Sequence, residues 1–166
     1  MTVTVRPASA TDTGDITAIC TIHNQAIADR IATLETTLRA PEDTRVWLAE
    51  RGPRYPVIAA EVDGIVVGWA SLNRFNPRPV YDHVADFSVY VERDWRGKGV
   101  GRQLLEQLIE LARDLRFHKM VLAAMAYNAA GIALYTRVGF TPVGIYHEQG
   151  QLDGKWVDVI IMEKLL

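Results

Sequence analysis

One glycine-rich turn constrains the fold more than any other segment: residues 96–101 read RGKGVG and lie between a β-rich run and an amphipathic helix pattern. Before the turn, Val89, Tyr90 and Val91 are of the branched and aromatic types that favour strands. After it, leucines recur at 104, 108, 111 and 115, the spacing of one helix face. The free amides and the dipole at a helix start attract anions. The segment therefore predicts a strand, a tight turn and a helix that together bind phosphate.

The spacing of the glycines distinguishes this turn from two common phosphate-binding loops. A dinucleotide-binding fingerprint needs GxGxxG, whereas Gly97, Gly99 and Gly101 alternate as GxGxG. A P-loop needs GxxxxGK followed by Ser or Thr, and Lys98 lacks that frame. Glycine lets the backbone turn sharply and direct several amides at one point. A different kind of phosphate site is indicated, and an ordinary glycine-rich turn is the alternative.

Composition limits the class of protein. The 166 residues fit a single domain, 1–166, that is long enough to bury a core. A net charge of −2 and 49% hydrophobic residues are typical of a soluble globular protein, not of a nucleic-acid binder. The single cysteine, Cys20, excludes an internal disulfide and a cysteine-based zinc site, and we expect no metal. Without a membrane-length apolar run or a signal-peptide pattern, we expect a cytoplasmic location and no membrane association.

The remaining patterns predict helices packed on a mostly antiparallel sheet. Predicted strands cover residues 2–7, 55–62, 65–72, 83–91, 119–126, 140–147 and 155–165, and predicted helices cover 13–27, 41–48, 104–115 and 128–138. Asp63-Gly64 is a hairpin-turn signal between two of the strands, and Pro41 stands at an early helical position. We therefore expect an α+β fold.

This order of elements resembles that of the GNAT superfamily of N-acetyltransferases over nearly the whole chain, and three segments strengthen the resemblance. Residues 96–101 resemble the family's pyrophosphate-binding motif, (Arg/Gln)-x-x-Gly-x-(Gly/Ala). Residues 128–140, NAAGIALYTRVGF, resemble its N-x-x-A/S-x-x-L-Y-x-x-x-G-F signature. Residues 75–91 resemble the phosphinothricin acetyltransferase branch, which acetylates the α-amine of phosphinothricin, methionine sulfoximine or methionine sulfone. The resemblance implies the GNAT fold, a mixed, mostly antiparallel central sheet flanked by helices.

The resemblance also implies an enzyme that moves an acetyl group from acetyl-CoA to a small amino-acid-like amine. The amine must lose a proton before it attacks, and a positioned base accelerates that step. Asp86 is the expected base, at a place where the resembling enzymes carry a glutamate; its shorter side chain favours a bridging water. Tyr135 is the expected general acid, because the family's tyrosine at this place points at the CoA sulfur; a core aromatic is its alternative role. His83 and His147 are reserve candidates for the base.

The resemblance further implies which residues bind the two substrates. Pantetheine amides should pair with the strand edge, and the pyrophosphate should rest on the amides of the turn. The expected cofactor-binding residues are Val89, Tyr90, Val91, Arg96, Gly97, Lys98, Gly99, Val100, Gly101, Arg102 and Asn128, the last of which can also be a plain helix cap. Arg78 is expected to hold a carboxylate or phosphinate, because guanidinium forms two bonds to such a group. Tyr81 would close the pocket, and Arg74, Glu35 and Arg30 are further candidates for its lining.

The sequence leaves alternatives open for the assembly and the function of the protein. The resembling enzymes are commonly homodimers, and the apolar final hairpin (157–161, Leu165 and Leu166) is the surface expected to bury itself in a partner. One other possible function is acetylation of a different small amine or of protein N-termini. Another is a non-catalytic acyl-CoA sensor, which would keep the glycine-rich turn but need neither Asp86 nor Tyr135.

Overall fold

The computed structural model describes residues 1–166, which form a seven-stranded sheet with helices on both faces. The strands are β1 (Thr4–Pro7), β2 (Val57–Val62), β3 (Ile65–Arg74), β4 (Val84–Val91), β5 (Lys119–Met125), β6 (Thr141–Leu152) and β7 (Lys155–Leu165). The helices are α1 (Thr13–Asp29), α2 (Pro41–Ala49), α3 (Val100–Asp114) and α4 (Ala129–Arg137), with short 3₁₀ turns at Pro79–Tyr81 and Arg93–Trp95. The strand order is β1-β2-β3-β4-β5-β7-β6, and only β4 and β5 run parallel. The predicted α+β fold is confirmed.

Local sequence signals set the helix starts. Asp12 precedes α1, and its side chain accepts a 2.9 Å hydrogen bond from the amide of Asp15. Pro41 occupies the first turn of α2, where a missing N–H costs nothing. Asn128 caps α4 by accepting a 3.1 Å bond from the amide of Gly131. None of the helices combines the length and the apolar character that crossing a bilayer requires.

Strand β6 is longer than its sequence pattern predicts. The pattern ends the strand at residue 147, because a polar stretch and a glycine follow. In the structure the strand continues to Leu152, and a bulge between Tyr146 and Gly150 takes up the extra residues, with Glu148 at a φ of 52°. A bulge leaves residues unpaired without ending the strand, so a polar interruption did not mark its end.

Two apolar clusters hold the helices to opposite faces of the sheet. In the larger cluster, Leu104 and Leu108 of α3 are fully buried against the sheet. In the smaller one, Ile19 and Ile22 of α1 pack with Trp69 of β3. Removal of this apolar surface from water is the main force that fixes the layers.

Alternation along β4 sorts its side chains between these two layers. Phe87 belongs to the α3 cluster, whereas Tyr90 packs against the α1 cluster. Because successive side chains of a strand point to opposite faces, Asp86, Ser88 and Tyr90 share the α1 side. The three polar side chains of the strand are thereby collected on one face.

The parallel pair β4–β5 separates partway along its length. Pairing covers Val84 with Lys119, Ala85 with Met120 and Asp86 with Val121. Beyond that point β4 stays paired with β3 and β5 stays paired with β7. A slot therefore opens between residues 87–91 and residues 122–125, in the middle of the sheet.

The final hairpin exposes different apolar side chains from those expected. Val157, Val159 and Met162 of β7 are buried within the chain itself. The exposed large apolar side chains of this hairpin lie mainly on β6, at Val143, Ile145 and Tyr146, with Trp156 and Leu165 of β7. The second strand supplies the core, and the first, at the edge of the sheet, carries the apolar surface.

Candidate active site

A cleft of about 460 Å³ extends from the glycine-rich turn to the slot between β4 and β5. Its walls are the edge of β4, the start of α3 and the side of α4, with the end of α1 above. The residues singled out from the sequence that line it are Val89, Tyr90, Val91, Arg96, Gly97, Gly99, Gly101, Arg102, Asn128 and Tyr135. Two others do not line it: the ammonium of Lys98 lies 5.0 Å from the Trp95 ring centroid, and Val100 is buried in the core.

The glycine-rich turn has the backbone conformation of an anion site. Gly97 and Gly99 adopt positive φ angles of 74° and 85°, and a Cβ on either would project into open space. The first α3 hydrogen bond runs from the amide of Gln103 to the carbonyl of Gly99, at 3.1 Å. The amides of residues 100–102 are therefore free of helical partners, as at any helix start, and can donate to an anion.

The arginines around this turn are engaged with carboxylates. Arg96 forms a 2.7 Å ion pair with Asp29 at the end of α1 and donates to the carbonyl of Val91. Arg93 binds the same carboxylate, and its hydrogen bond is the main cause that lowers the pKa of Asp29. Arg102 pairs with Glu106 one helical turn further on. Backbone amides are thus the donors this turn leaves available, and the arginines mainly fix its position.

The edge of β4 presents backbone groups to the slot. The amide of Glu92 donates to the carbonyl of Val67 on β3. This bond shows which residues of the strand point their backbone N–H and C=O groups toward β3. In an antiparallel pair this pattern alternates, so Val89 and Val91 turn their N–H and C=O groups away from β3 and toward the slot. The carbonyl of Val91 accepts from Arg96, whereas the groups of Val89 are free for an extended ligand that contains amides.

A second cavity of about 240 Å³ lies on the other side of the slot and shares Ala32, Val89, Tyr90 and Tyr135 with the cleft. Its lining is Ala32, Thr33, Leu34, Asp86, Phe87, Ser88, Val89, Tyr90, Leu122, Ala123, Ala124, Met125, Tyr135 and Val159. We call it the acceptor pocket. Asp86 is the only carboxylate in this lining, and no arginine or lysine contributes. A carboxylate and two phenols therefore meet where the two cavities join.

The burial of these groups sets their protonation. Burial raises the pKa of Asp86 to about 6, and no cation pairs with its carboxylate. Burial also raises the pKa of Tyr135 to about 12, and the nearby Tyr90 and Asp86 add to the shift. Tyr90 likewise has a pKa of about 12. Around neutral pH the site therefore offers a base that can accept a proton and phenols that keep theirs.

Tyr135 and Asn128 each have a structural contact as well as a place in the cleft. The ring of Tyr135 packs edge-on against Phe87, with centroids 5.9 Å apart, and against Phe140. Asn128 is 8% exposed and caps α4 through Gly131. The two roles considered for each residue are compatible.

The predicted acceptor-binding residues of the β3–β4 connection lie outside both cavities. Arg74 and Arg78 are exposed, and Tyr81 packs edge-on against Phe75 with ring centroids 5.7 Å apart. The reserve bases line neither cavity: His83 is exposed, and Nδ1 of His147 lies 3.3 Å from the carboxylate of Asp158 at the surface. Arg30 is paired with Asp153 and lines neither cavity.

Glu35 has contacts that the sequence did not reveal. Its carboxylate lies 2.6 Å from Nε2 of His23 and 2.8 Å from Arg39. Burial lowers the pKa of His23, whose side chain is only 4% exposed. The side-chain amide of Asn24 also binds the backbone of Arg39 through two 2.9 Å hydrogen bonds. These bonds fix the 30–40 loop, which supplies Ala32 to both cavities, on α1.

Glu35→Gln is expected to weaken this attachment. The variant keeps the shape of the side chain but removes the charge that strengthens both bonds, at a cost of about 1 kcal/mol in free energy of unfolding. Urea unfolding measures the loss. Glu42→Gln, which breaks an exposed ion pair with Arg45, is the matched control and should leave the free energy of unfolding unchanged. Equal effects of the two variants would contradict a special role for Glu35.

Comparison with known proteins gives matches over nearly the whole chain. The sequence profile of the Acetyltransferase (GNAT) family matches residues 22–140. The L-methionine sulfoximine/L-methionine sulfone acetyltransferase of Pseudomonas aeruginosa is 37% identical over 160 residues, which cover 94% of this chain and 93% of that protein. A ribosomal-protein-alanine N-acetyltransferase from Brucella melitensis is 38% identical with a TM-score of 0.93, over 98% of this chain and 99% of that one. A phosphinothricin acetyltransferase from Sinorhizobium meliloti, solved with acetyl-CoA, has a TM-score of 0.93 at 28% identity, over 100% and 89% of the two chains.

These matches agree with the geometry of the cleft. The free amides beside Gly99 suit a diphosphate, and the free backbone edge at Val89 suits an amide-containing arm. Both are features that a CoA thioester requires of its binding site. The chain belongs to the GNAT acetyltransferase family and is an acetyl-CoA-dependent N-acetyltransferase.

Proposed function

We propose that this enzyme acetylates the α-amine of a small amino-acid-like substrate of the phosphinothricin, methionine sulfoximine or methionine sulfone type. The observation that carries the proposal is Asp86, the one carboxylate lining an acceptor pocket of about 240 Å³ that meets the cofactor cleft. Leu34, Met125 and Val159 line the same pocket and suit a short apolar side chain. The name of the Pseudomonas aeruginosa relative supports this substrate class.

The residues where the two cavities join support direct transfer of the acetyl group. Acetyl-CoA supplies the acetyl group as a thioester. Asp86 accepts the proton of the amine, directly or through one water, while the nitrogen forms the new C–N bond and the C–S bond breaks. Tyr135 donates its hydroxyl proton, or a hydrogen bond, to the departing sulfur. The free backbone groups of Val89 hold the thioester arm in line with the acceptor pocket.

Arg78 is proposed to hold the acidic group of the acceptor. The acceptor pocket has no arginine or lysine in its lining, so a cation for a carboxylate or phosphinate must come from a neighbouring segment. The β3–β4 connection leads directly into the strand that carries Asp86 and bears Arg78, with Tyr81 and Arg74 beside it. Arg78→Lys should raise the KM for the acceptor and leave acetyl-CoA binding unchanged, because lysine cannot form the two parallel bonds.

The substrate proposal is tested by thiol release from acetyl-CoA. The acceptors are methionine sulfone, methionine sulfoximine, phosphinothricin, ordinary amino acids and a peptide with an N-terminal alanine. We expect turnover with the first three to exceed that with ordinary amino acids. Binding of CoA without turnover of any amine would favour the sensor function.

Acetylation of a protein N-terminus is the second candidate, favoured by the name of the Brucella melitensis relative. Turnover confined to the peptide would establish it. The roof of the acceptor pocket, formed by residues 32–34, argues against it. A peptide chain would have to leave the pocket past this loop. The loop is fixed in place by the hydrogen bond between Glu35 and His23.

Tyr135→Phe is expected to slow turnover about tenfold to a hundredfold, because a thiolate leaves with only modest help from an acid. The ring contacts with Phe87 and Phe140 survive, so the Kd for acetyl-CoA should stay the same. Tyr55→Phe removes a hydroxyl from a ring that packs on Phe117 and is the control. Unchanged kcat in Tyr135→Phe would leave the tyrosine only its packing role.

The enzyme is proposed to be a homodimer. The apolar side chains of Val143, Ile145 and Tyr146 are exposed on β6, the edge strand of the sheet, and an uncovered apolar edge strand favours association. Light scattering should give twice the chain mass of 18.5 kDa. Ile145→Lys should restore the monomer mass, and a monomer in the unmodified protein would refute the proposal.

A further inference from the structure

A chain of hydrogen bonds leads from a half-buried arginine to the acceptor pocket. Arg51, which follows α2, donates from Nη2 to Oδ1 of Asn73 at 3.0 Å. The amide Nδ2 of Asn73 lies 3.0 Å from Oγ of Ser88. Ser88 is one of the residues that line the acceptor pocket. Three side chains from three different segments thus form one continuous chain.

The hydrogen bonds from Arg51 to Ser88 have a fixed donor-to-acceptor direction. Ser71 also donates to Oδ1 of Asn73, at 3.0 Å, so two donors converge on the carbonyl oxygen and the amide cannot be reversed. Nδ2 of Asn73 must therefore donate to Ser88. Because the hydroxyl oxygen of Ser88 accepts this bond, its own hydrogen is free to be donated. In each of these hydrogen bonds, the acceptor lies closer to the acceptor pocket than the donor does.

The positive charge at the start of the chain lacks a carboxylate partner. The other acceptors of Arg51 are the carbonyls of Tyr55 and Leu72, and its guanidinium lies over the Trp47 ring at 4.6 Å. Burial lowers the pKa of Arg51. A cation bound only to neutral groups polarises the hydrogen bonds that lead away from it. The hydroxyl of Ser88 is thereby a stronger donor than an isolated serine.

The carboxylate of Asp86 is the group to which the Ser88 hydroxyl can be linked through one water. Asp86 and Ser88 lie two residues apart on the same face of β4, a separation of about 6.6 Å along the strand. No direct bond joins them, so a hydrogen-bonded connection between the Ser88 hydroxyl and the Asp86 carboxylate requires a bridging water. Asn73, the middle member of the hydrogen-bonded chain, lies opposite Asp86 in the strand register, so the chain passes next to the residue that carries the carboxylate.

We propose that Ser88, oriented by Asn73 and Arg51, is a positioning residue that anchors the water through which Asp86 takes the proton of the amine. This inference rests on the proposed function for its chemical step, although its geometry does not. The water accepts from Ser88 and from the ammonium of the acceptor, and it donates to Asp86. When the proton is transferred, the water passes one proton to the carboxylate as it receives one from the nitrogen, so nothing is left over.

The other ionisable groups near Asp86 are either neutral or already paired. Tyr90 on the same strand and Tyr135 on α4 are neutral near pH 7, because burial raises the pKa of each to about 12. Beyond Tyr90, Glu35 is paired with His23 and Arg39. On β5, the partner of Asp86 is Val121. None of these groups connects a cation to the carboxylate, whereas the hydrogen bonds that begin at Arg51 lead to Ser88, two residues from Asp86 on the same face of β4.

The test is a titration of the Asp86 carboxyl carbon by ¹³C NMR in the full chain, with no acetyl-CoA or acceptor present. Asp86→Asn identifies the signal. Ser88→Ala is expected to raise the pKa of Asp86 by about one unit, because the water that donates to the charged carboxylate loses its anchor. Ser88→Thr keeps the hydroxyl and should restore the original value. The low-pH limb of the kcat/KM profile should move by the same amount in each variant.

Ser71→Ala is the matched control. Ser71 is a serine on β3 whose buried hydroxyl is likewise bonded to Asn73, but it donates to the oxygen that also accepts from Arg51. Its loss should leave the Asp86 pKa where it is. An unchanged pKa in Ser88→Ala, or an equal shift in Ser71→Ala, would overturn the inference. Because the titration needs no turnover, a wrong substrate proposal would appear separately, as no activity of the unmodified enzyme on the amine panel.

Discussion

Replacing Asp86 with asparagine is expected to lower kcat/KM by about 10²- to 10⁴-fold and, at neutral pH, to make the protein more stable. The activity falls because asparagine has the shape of aspartate but cannot accept the proton of the amine. In the unmodified enzyme, kcat/KM should rise with pH through an apparent pKa of about 6, since only the ionised carboxylate acts as a base. A profile that is flat between about pH 5 and about pH 7 would remove Asp86 from this role.

The stability gain follows from the sign of the pKa shift. Burial raises the pKa of Asp86 from 3.8 to about 6, so the folded state binds the proton more tightly than the unfolded state. Stability therefore falls as pH rises from about 4 to about 6, and the ionised form costs about 2–3 kcal/mol above that range. Asp86→Asn removes this cost, so its free energy of unfolding should exceed that of the unmodified protein at pH 7.

Urea unfolding at two pH values measures this effect. The difference between Asp86→Asn and the unmodified protein should be present near pH 7 and vanish below about pH 4, where the aspartate is neutral in both states. Asp114→Asn, at an exposed position at the end of α3, should show the same difference at both pH values and full activity. A pH-independent gain in Asp86→Asn would mean that packing, not ionisation, is responsible.

The parts of the site that the sequence reveals depend on local patterns. The turn at Gly97 and Gly99 was identifiable because the strand before it and the helix after it each have their own periodicity. Alternation along one strand places Asp86 and Tyr90 on the same face without any knowledge of the fold. Tyr135 lies a fixed number of helical residues after the cap at Asn128, so its direction was likewise determined locally.

The parts that the sequence does not reveal depend on contacts between distant segments. His23 and Glu35 are 12 residues apart, and no periodicity connects a helix with the irregular loop that follows it. Arg51 and Asn73 are 22 residues apart and meet only because β2 and β3 form a hairpin beside the end of α2. Tertiary packing selects such partners, and residue type alone does not distinguish Arg51, which is half-buried and bonded to Asn73, from Arg78, which is exposed.

Gly99→Ala should cause the largest loss of cofactor binding among single small substitutions in the turn. Gly99 has a φ of 85°, and a non-glycine residue there is strained by about 1–2 kcal/mol. Gly99 lines the cleft directly before the free amides of α3, and an added Cβ would contact no other atom of the protein within 4 Å. We expect the Kd for acetyl-CoA, measured by calorimetry, to rise about tenfold to a hundredfold, since each 1.4 kcal/mol is a factor of ten.

Gly64→Ala separates this binding effect from backbone strain. Gly64 has a φ of 80° in the β2–β3 hairpin turn, and a Cβ there also meets open space, but the residue lines neither cavity. Both variants should therefore lose about 1 kcal/mol of stability, while only Gly99→Ala loses affinity for acetyl-CoA. Equal affinities in the two variants would show that the amides beside Gly99 do not bind the diphosphate. In that case the thioester would have no fixed position relative to Asp86, and the acceptor pocket alone could not account for transfer.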